Sequence, residues 1–226
     1  MKKLGTNLLV ASTVGLGGLG ASQQPVTAPA ATTFSSSIIP SGHFQNAANH
    51  YAFHWQSFKA GKSKGQVLIF GNFNGDVKHP AIQFGVPTKY KLSKNRRTLT
   101  TYYRLTSAKG KLSSTYRMDL YKYSNSNYRV KLNQYKAGLL PSYKGSSYTF
   151  NLTKNSPAQA FSAFTTTQLT NYGIAQDTQS VQKQREQGET SADPNSSEVQ
   201  QQIRDTVTKQ VTPVVSSMVE AYNTTH

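Results

Sequence analysis

The chain has 226 residues, with 25 Lys and Arg against nine Asp and Glu, a formal net charge of +16, and no cysteine. That length suits one sizeable core with an appended segment rather than several domains. The composition excludes a disulfide scaffold and a thiol nucleophile, and the charge points to polyanions as partners.

The chain opens with the marks of export. Met1-Lys2-Lys3 is a short cationic start, and Leu8-Leu9-Val10-Ala11 with Val14 to Ala21 forms an apolar stretch diluted by glycine. That stretch is too short and too glycine-rich to span a bilayer. Ala28-Pro29-Ala30 supplies small residues where cleavage needs them, so residues 1–30 read as a signal peptide, with Gly18-Leu19-Gly20 as an earlier cleavage alternative. Residues 31–42, rich in Pro, Thr, Ser and Ala, read as a flexible spacer.

Residues 43–155 form a basic, β-rich segment. Short runs rich in Tyr, Thr, Val, Ile and Phe recur about every ten positions: His50 to Phe58, Gln66 to Phe73, Ala81 to Val86, Thr98 to Thr106, Ser114 to Tyr123, Tyr128 to Gln134 and Ser146 to Leu152. Turn residues separate them, among them Asn74-Gly75, Gly110-Lys111, Ser124-Asn125-Ser126 and Lys144-Gly145. The expected fold is mainly β, an antiparallel sandwich or small barrel of about seven strands. A C-terminal amphipathic helix follows it after a polar linker. Phe44, Ala48, Tyr51, Trp55 and Phe58 also fit a helical spacing, but strand is the preferred reading there.

After Leu152, Ser156-Pro157 marks a helix start, and residues 156–172 read as a short helix through Phe161 and Phe164. Residues 173–197 lack an apolar period and read as a polar linker. Ser197 with Gln200 then resembles a capping box. Val199, Ile203, Val207, Val211, Val214, Met218 and Tyr222 follow at three- or four-residue spacing, an amphipathic helix over 198–223 with Pro213 inside it. Packing on the β-segment or self-association is preferred for it over a membrane surface, because its polar face is not basic.

The charge is concentrated. Residues 57–155 hold 19 Lys and Arg against Asp76 and Asp119 alone, a net +17, whereas residues 156–226 hold four basic residues against seven acidic. Read by face, Leu99, Thr101, Tyr103 and Leu105 alternate with Thr100, Tyr102 and Arg104. Tyr116, Met118 and Leu120 alternate with Arg117, Asp119 and Tyr121, and Tyr128, Val130 and Leu132 with Arg129 and Lys131. A three-residue loop at 124–126 pairs Leu120 with Val130 on one face and Asp119 with Lys131 on the other. A two-residue turn at Gly110-Lys111 sets Arg104 opposite Arg117, which is unfavourable unless an anion lies between them. Tyr102, Arg104, Arg117, Tyr121, Arg129 and Lys131 are therefore the candidate anion-binding residues, set against a plain solvated sheet face on which Tyr and Arg serve only β-propensity.

Catalytic readings find less support. Glycosidase chemistry commonly needs two carboxyl groups across a bond, and Asp76 and Asp119 make a poor pair; no G-x-S-x-G element appears. His43, His50 and His54, with His79, form a weak zinc candidate without acidic or cysteine ligands. No cofactor, metal or catalytic residue is assigned. Asn151-Leu152-Thr153, Asn195-Ser196-Ser197 and Asn223-Thr224-Thr225 match a glycosylation acceptor, a chance outcome in so Asn-, Ser- and Thr-rich a chain. In composition the arrangement resembles small extracellular proteins of Gram-positive bacteria. The expectation is an exported, non-enzymatic protein held electrostatically to envelope or extracellular polyanions such as teichoic acid, nucleic acid or acidic polysaccharide. A small-ligand carrier with a barrel cavity is the alternative, and an envelope enzyme the third reading.

Overall fold

Alternation of large apolar and polar side chains over short runs lets a sheet bury one face, and here the sheet buries it by closing on itself. A computed structural model describes residues 33–35, 39–60, 62–78, 81–107, 109–133 and 147–224. It contains β1 (His43–Asn46), β2 (Tyr51–Ala60), β3 (Ser63–Asn72), β4 (Ile82–Leu92), β5 (Thr98–Thr106), β6 (Leu112–Lys122), β7 (Asn127–Asn133) and β8 (Ser147–Thr153). Two helices follow, α1 (Ala158–Glu186) and α2 (Ser197–Asn223). Each strand pairs antiparallel with its neighbour in sequence, and β8 pairs with β1 to close the barrel. The expected signal peptide, His79 and the Lys144-Gly145 turn lie outside the described residues.

The inward positions are filled by rings. Phe44 stacks on Phe53 at 4.6 Å, Trp55 meets both edge-on, and Phe70 packs against Tyr103 at 5.4 Å. Leu68, Leu99, Met118, Leu120, Val130 and Phe150 are fully buried among them. Each such side chain contributes about 1.5–3 kcal/mol by leaving water. The expected flexible spacer is overturned at Thr33–Ser35. Phe34 is buried in the same core, with its N–H donating to the Arg96 carbonyl at 2.8 Å and its own carbonyl accepting from Arg96 Nε at 3.1 Å. One apolar ring offsets the ordering of a polar segment.

A second, outward core joins the helices to the barrel. Ala52, Ile69 and Phe73 on the outside of β2 and β3 pack against Ala158 and Phe161 of α1 and Met218 and Tyr222 of α2. Gly71 permits this approach, since a side chain there would run into Phe73 and Tyr222. Thr165 of α1 donates its hydroxyl to the Phe73 carbonyl.

The polar linker expected at 173–197 is instead helical as far as Glu186. Ile203, Val207, Val211 and Val215 of α2 form a stripe against Leu169, Ile174 and Val181 of α1. Gly173 lies against Val207, and Gln200 Nε2 donates to Thr178 Oγ1 at 3.0 Å. The burial of α1 keeps a helical period, but its seam interleaves Thr165, Thr170, Gly173, Asp177 and Thr178 with those three aliphatic side chains. The cap of α2 is Ser196, not Ser197. Its hydroxyl accepts from the Val199 N–H, and Gln200 turns away to donate to Thr178 and to the Pro194 carbonyl. Val215 takes the stripe position expected of Val214, which is 52% exposed, because four residues from Val211 complete the turn more nearly than three.

Candidate anion-binding face

The six candidate residues lie on the outside of β5, β6 and β7. The β6–β7 register has Asp119 opposite Lys131, Tyr121 opposite Arg129 and Leu120 opposite Val130. The β5–β6 register differs from expectation by two residues. Tyr102 stands opposite Arg117, and Arg104 stands opposite Thr115 rather than Arg117. The connection is longer than a two-residue turn. Ser107 N–H donates to the Lys111 carbonyl, Gly110 takes φ +72°, and the ladder is irregular between Arg104 and Thr106. A two-residue shift keeps every side chain on its face, so the division into apolar and cationic faces survives while the Arg–Arg opposition does not.

Each cation is held differently. Arg117 makes a two-point contact with Asp119, Nη2 at 2.9 Å and Nε at 3.1 Å, and Asp119 also accepts from the Thr100 hydroxyl at 2.6 Å. Arg117, rather than the Lys131 opposite, is thus the ion-pair partner of Asp119 among the described residues. Arg104 reaches along the sheet to donate to the carbonyls of Ser113 and Leu112. Arg129 lies 5.5 Å from the centre of the Tyr123 ring, and Arg97 lies 4.8 Å from that of Tyr121. The two tyrosines meet edge-on at 4.8 Å, which completes a row Arg97–Tyr121–Tyr123–Arg129. Stacking on a ring leaves guanidinium N–H groups free for an anion at the exposed Arg129, whereas Arg97 donates Nη2 to the Lys122 carbonyl at 3.2 Å and buries its Nε. Lys131 is exposed beside it.

Arg97 is missing from the sequence expectation, and Tyr123, which alternation places on this face, is missing from its anion-binding set. Tyr123 shares the parity of Tyr121 and was discoverable by alternation, whereas Arg97 precedes β5 and only its proximity to Tyr121 recruits it. No family model matches the chain, and no curated protein or solved structure matches it. The face is therefore interpreted from its own chemistry, that of four cations and one engaged carboxylate on three adjacent strands, with Arg97 just ahead of β5.

The other chemistry-bearing groups lie elsewhere. Asp76 sits in the β3–β4 connection and accepts from the Lys78 N–H at 2.8 Å, remote in the fold from Asp119 on the outside of β6. Among the described residues no group of three or more His, Cys, Asp or Glu side chains is placed to hold a metal ion. His43 and His54 adjoin on the outside of β1 and β2, and His50 stacks on Phe164 at 3.7 Å. Burial, with the nearby His43, pulls the pKa of His54 down to about 4, and burial lowers that of His43.

Proposed function

We propose that this protein is exported and works without catalysis, by associating electrostatically with polyanions of the cell envelope or its surroundings. Wall teichoic acid is the favoured partner class, with nucleic acid and acidic polysaccharide as competitors. The observation that carries the reading is the face of Arg97, Arg104, Arg117, Arg129 and Lys131, whose sole carboxylate, Asp119, is already engaged. Around it lies a segment with a net charge of +17. Such a surface concentrates counter-charged polymers by several kT, and Arg donors match phosphate oxygens. No helix among the described residues is long and apolar enough to cross a membrane.

The test is retention of the chain from Ala31 onward on immobilised teichoic acid, DNA and uncharged peptidoglycan across a salt series. The expected result is binding to the two polyanions that falls linearly in log–log form with salt, with little retention on the uncharged polymer. Equal retention on uncharged peptidoglycan, or retention on teichoic acid undiminished at about 1 M NaCl, overturns the reading.

A further inference from the structure

The barrel wall parts at one place. β2 and β3 stay in register as far as Ala60 and Ser63, and β4 and β5 as far as Leu92 and Leu99, but the β3–β4 pairing stops at Leu68 and Gly85. Pro87 has no N–H to donate across the gap, and an irregularity between Pro87 and Lys89 redirects β4 so that Tyr90 packs inward. Between the β2–β3 hairpin and β4 lies a cleft of about 650 Å³, whose lining includes Ser57, Phe58, Lys59, Lys64, Gln66 and Tyr90.

The chemistry of this cleft is unbalanced in one direction. Lys59 and Lys64 are direct cross-strand partners. Like charges so placed destabilise a ladder unless an anion sits between them. No carboxylate lines the cleft. Asp76 and Asp119, the two acids of the 57–155 segment, are engaged in the β3–β4 connection and with Arg117. Beneath the lysines, Tyr90 donates its hydroxyl to Gln66 Oε1 at 3.3 Å, and burial pushes its pKa up to about 12, so it remains a donor at neutral pH. The Trp55 indole N–H approaches the Tyr90 oxygen closely enough to offset a little of that rise, yet completes no hydrogen bond. It stays unpartnered in a side chain only 8% exposed. Phe58 and Pro87 supply apolar walls.

We propose that this cleft binds a phosphorylated sugar or polyol unit, with Lys59 and Lys64 taking the phosphate and Phe58, Pro87 and Tyr90 flanking the carbon skeleton. Two ammonium groups carried by directly opposed residues of one cleft suit a dianionic group with three acceptor oxygens better than a carboxylate. The proposal deepens the polyanion reading and rests on it only for the source of the ligand, as a phosphomonoester end of such a polymer.

Trp55 is the only tryptophan in the chain, so its emission reports on the cleft. The experiment titrates the chain from Ala31 onward with glucose 6-phosphate, inorganic phosphate, glucose and glucuronate. Glucose 6-phosphate should give a saturable emission change, and the other three should bind at least tenfold more weakly. Lys59→Ser with Lys64→Ser should abolish the response while the circular dichroism and the free emission maximum stay as in the parent, and retention on teichoic acid should fall only slightly. Arg97→Ser with Arg129→Ser should do the reverse, losing retention and keeping the titration. Absence of a response to glucose 6-phosphate, an equal response to glucuronate or inorganic phosphate, or a response that survives in the double lysine variant overturns the cleft proposal. Failure of the polyanion reading shows up separately, as lost salt-dependent retention with the titration intact.

Discussion

His43 and His54 face each other across the β1–β2 ladder with ring centres 4.5 Å apart, and the Tyr222 ring from the last turn of α2 closes over both, 5.7 Å and 4.7 Å away. His54 is 4% exposed and its Nδ1 has no hydrogen-bond partner. No carboxylate contributes to its surroundings; burial and His43 alone act on it. The joint between barrel and helices is therefore built around imidazoles that must stay neutral.

The consequence is a stability that depends on pH in a stated direction. His54 is pulled from 6.5 in the unfolded chain to about 4 when folded, so the folded form disfavours the proton. Stability is full above pH 6.5 and declines as pH falls toward 4, with about 3 kcal/mol lost over that window from this residue. Denaturant midpoints measured from pH 7.5 to 4 should trace that fall. His54→Phe, which keeps an aromatic ring under Tyr222, should flatten it; an unchanged profile in that variant would disprove the assignment.

Gly173 of α1 lies directly against Val207 of α2 in the helical hairpin. A methyl group added there would lie 2.6 Å from Val207 Cγ1. Alanine gains up to about 1 kcal/mol in helix propensity over glycine, but the stiff valine cannot rotate away, and overpacking costs about 1–3 kcal/mol. Gly173→Ala should thus lower stability by about 1 kcal/mol. Placed in a Val207→Ala background the same change should become stabilising, and the double-mutant cycle read by chemical denaturation checks the sign change.

Asp119 is the only acid on the cationic face and holds Arg117 at two points. Asp119→Asn should free that guanidinium for a ligand. Teichoic acid elution should move to higher salt, and the log–log salt slope should steepen by about one charge. Because the pair is partly exposed, the accompanying stability loss should stay under about 1 kcal/mol.

Phe34 plugs the barrel from outside the strand order. Phe34→Ala should cost about 2–4 kcal/mol, the lower part of that range if the neighbouring Tyr128 ring, 6.2 Å away, collapses into the gap. Urea unfolding followed by circular dichroism measures it. A loss below about 0.5 kcal/mol would show that the segment is not part of the core.

Where local rules act alone, the chain could be read directly. The three-residue loop at 124–126 sets the β6–β7 register, because a two- or four-residue loop mixes Leu120 and Val130 with the charged face. β1 is not legible in the sequence because four residues, His43 to Asn46, are too few for alternation to register, and only Phe44 announces its inward face. The second half of α1 reads as linker in the sequence because its packing seam uses Gly173, Asp177 and Thr178, whose burial depends on α2 being present to cover them. The site divides in the same way. Facing of Arg117, Arg129 and Lys131 follows from parity, but the row Arg97–Tyr121–Tyr123–Arg129 and the Lys59–Lys64 cleft arise from tertiary proximity and the divergence of two strands.

The barrel is a simple meander in which neighbours in sequence are neighbours in space, except at the β1–β8 seam, where His43 meets Thr153. Seven hairpin contacts bridge connections of two to thirteen residues, each at a modest entropic cost, but the ring closes only when two segments about 110 residues apart find each other. That single long-range step should set the folding rate. A chain synthesised or threaded from its N-terminus remains an open sheet, with both edges bare, until Thr153 has emerged.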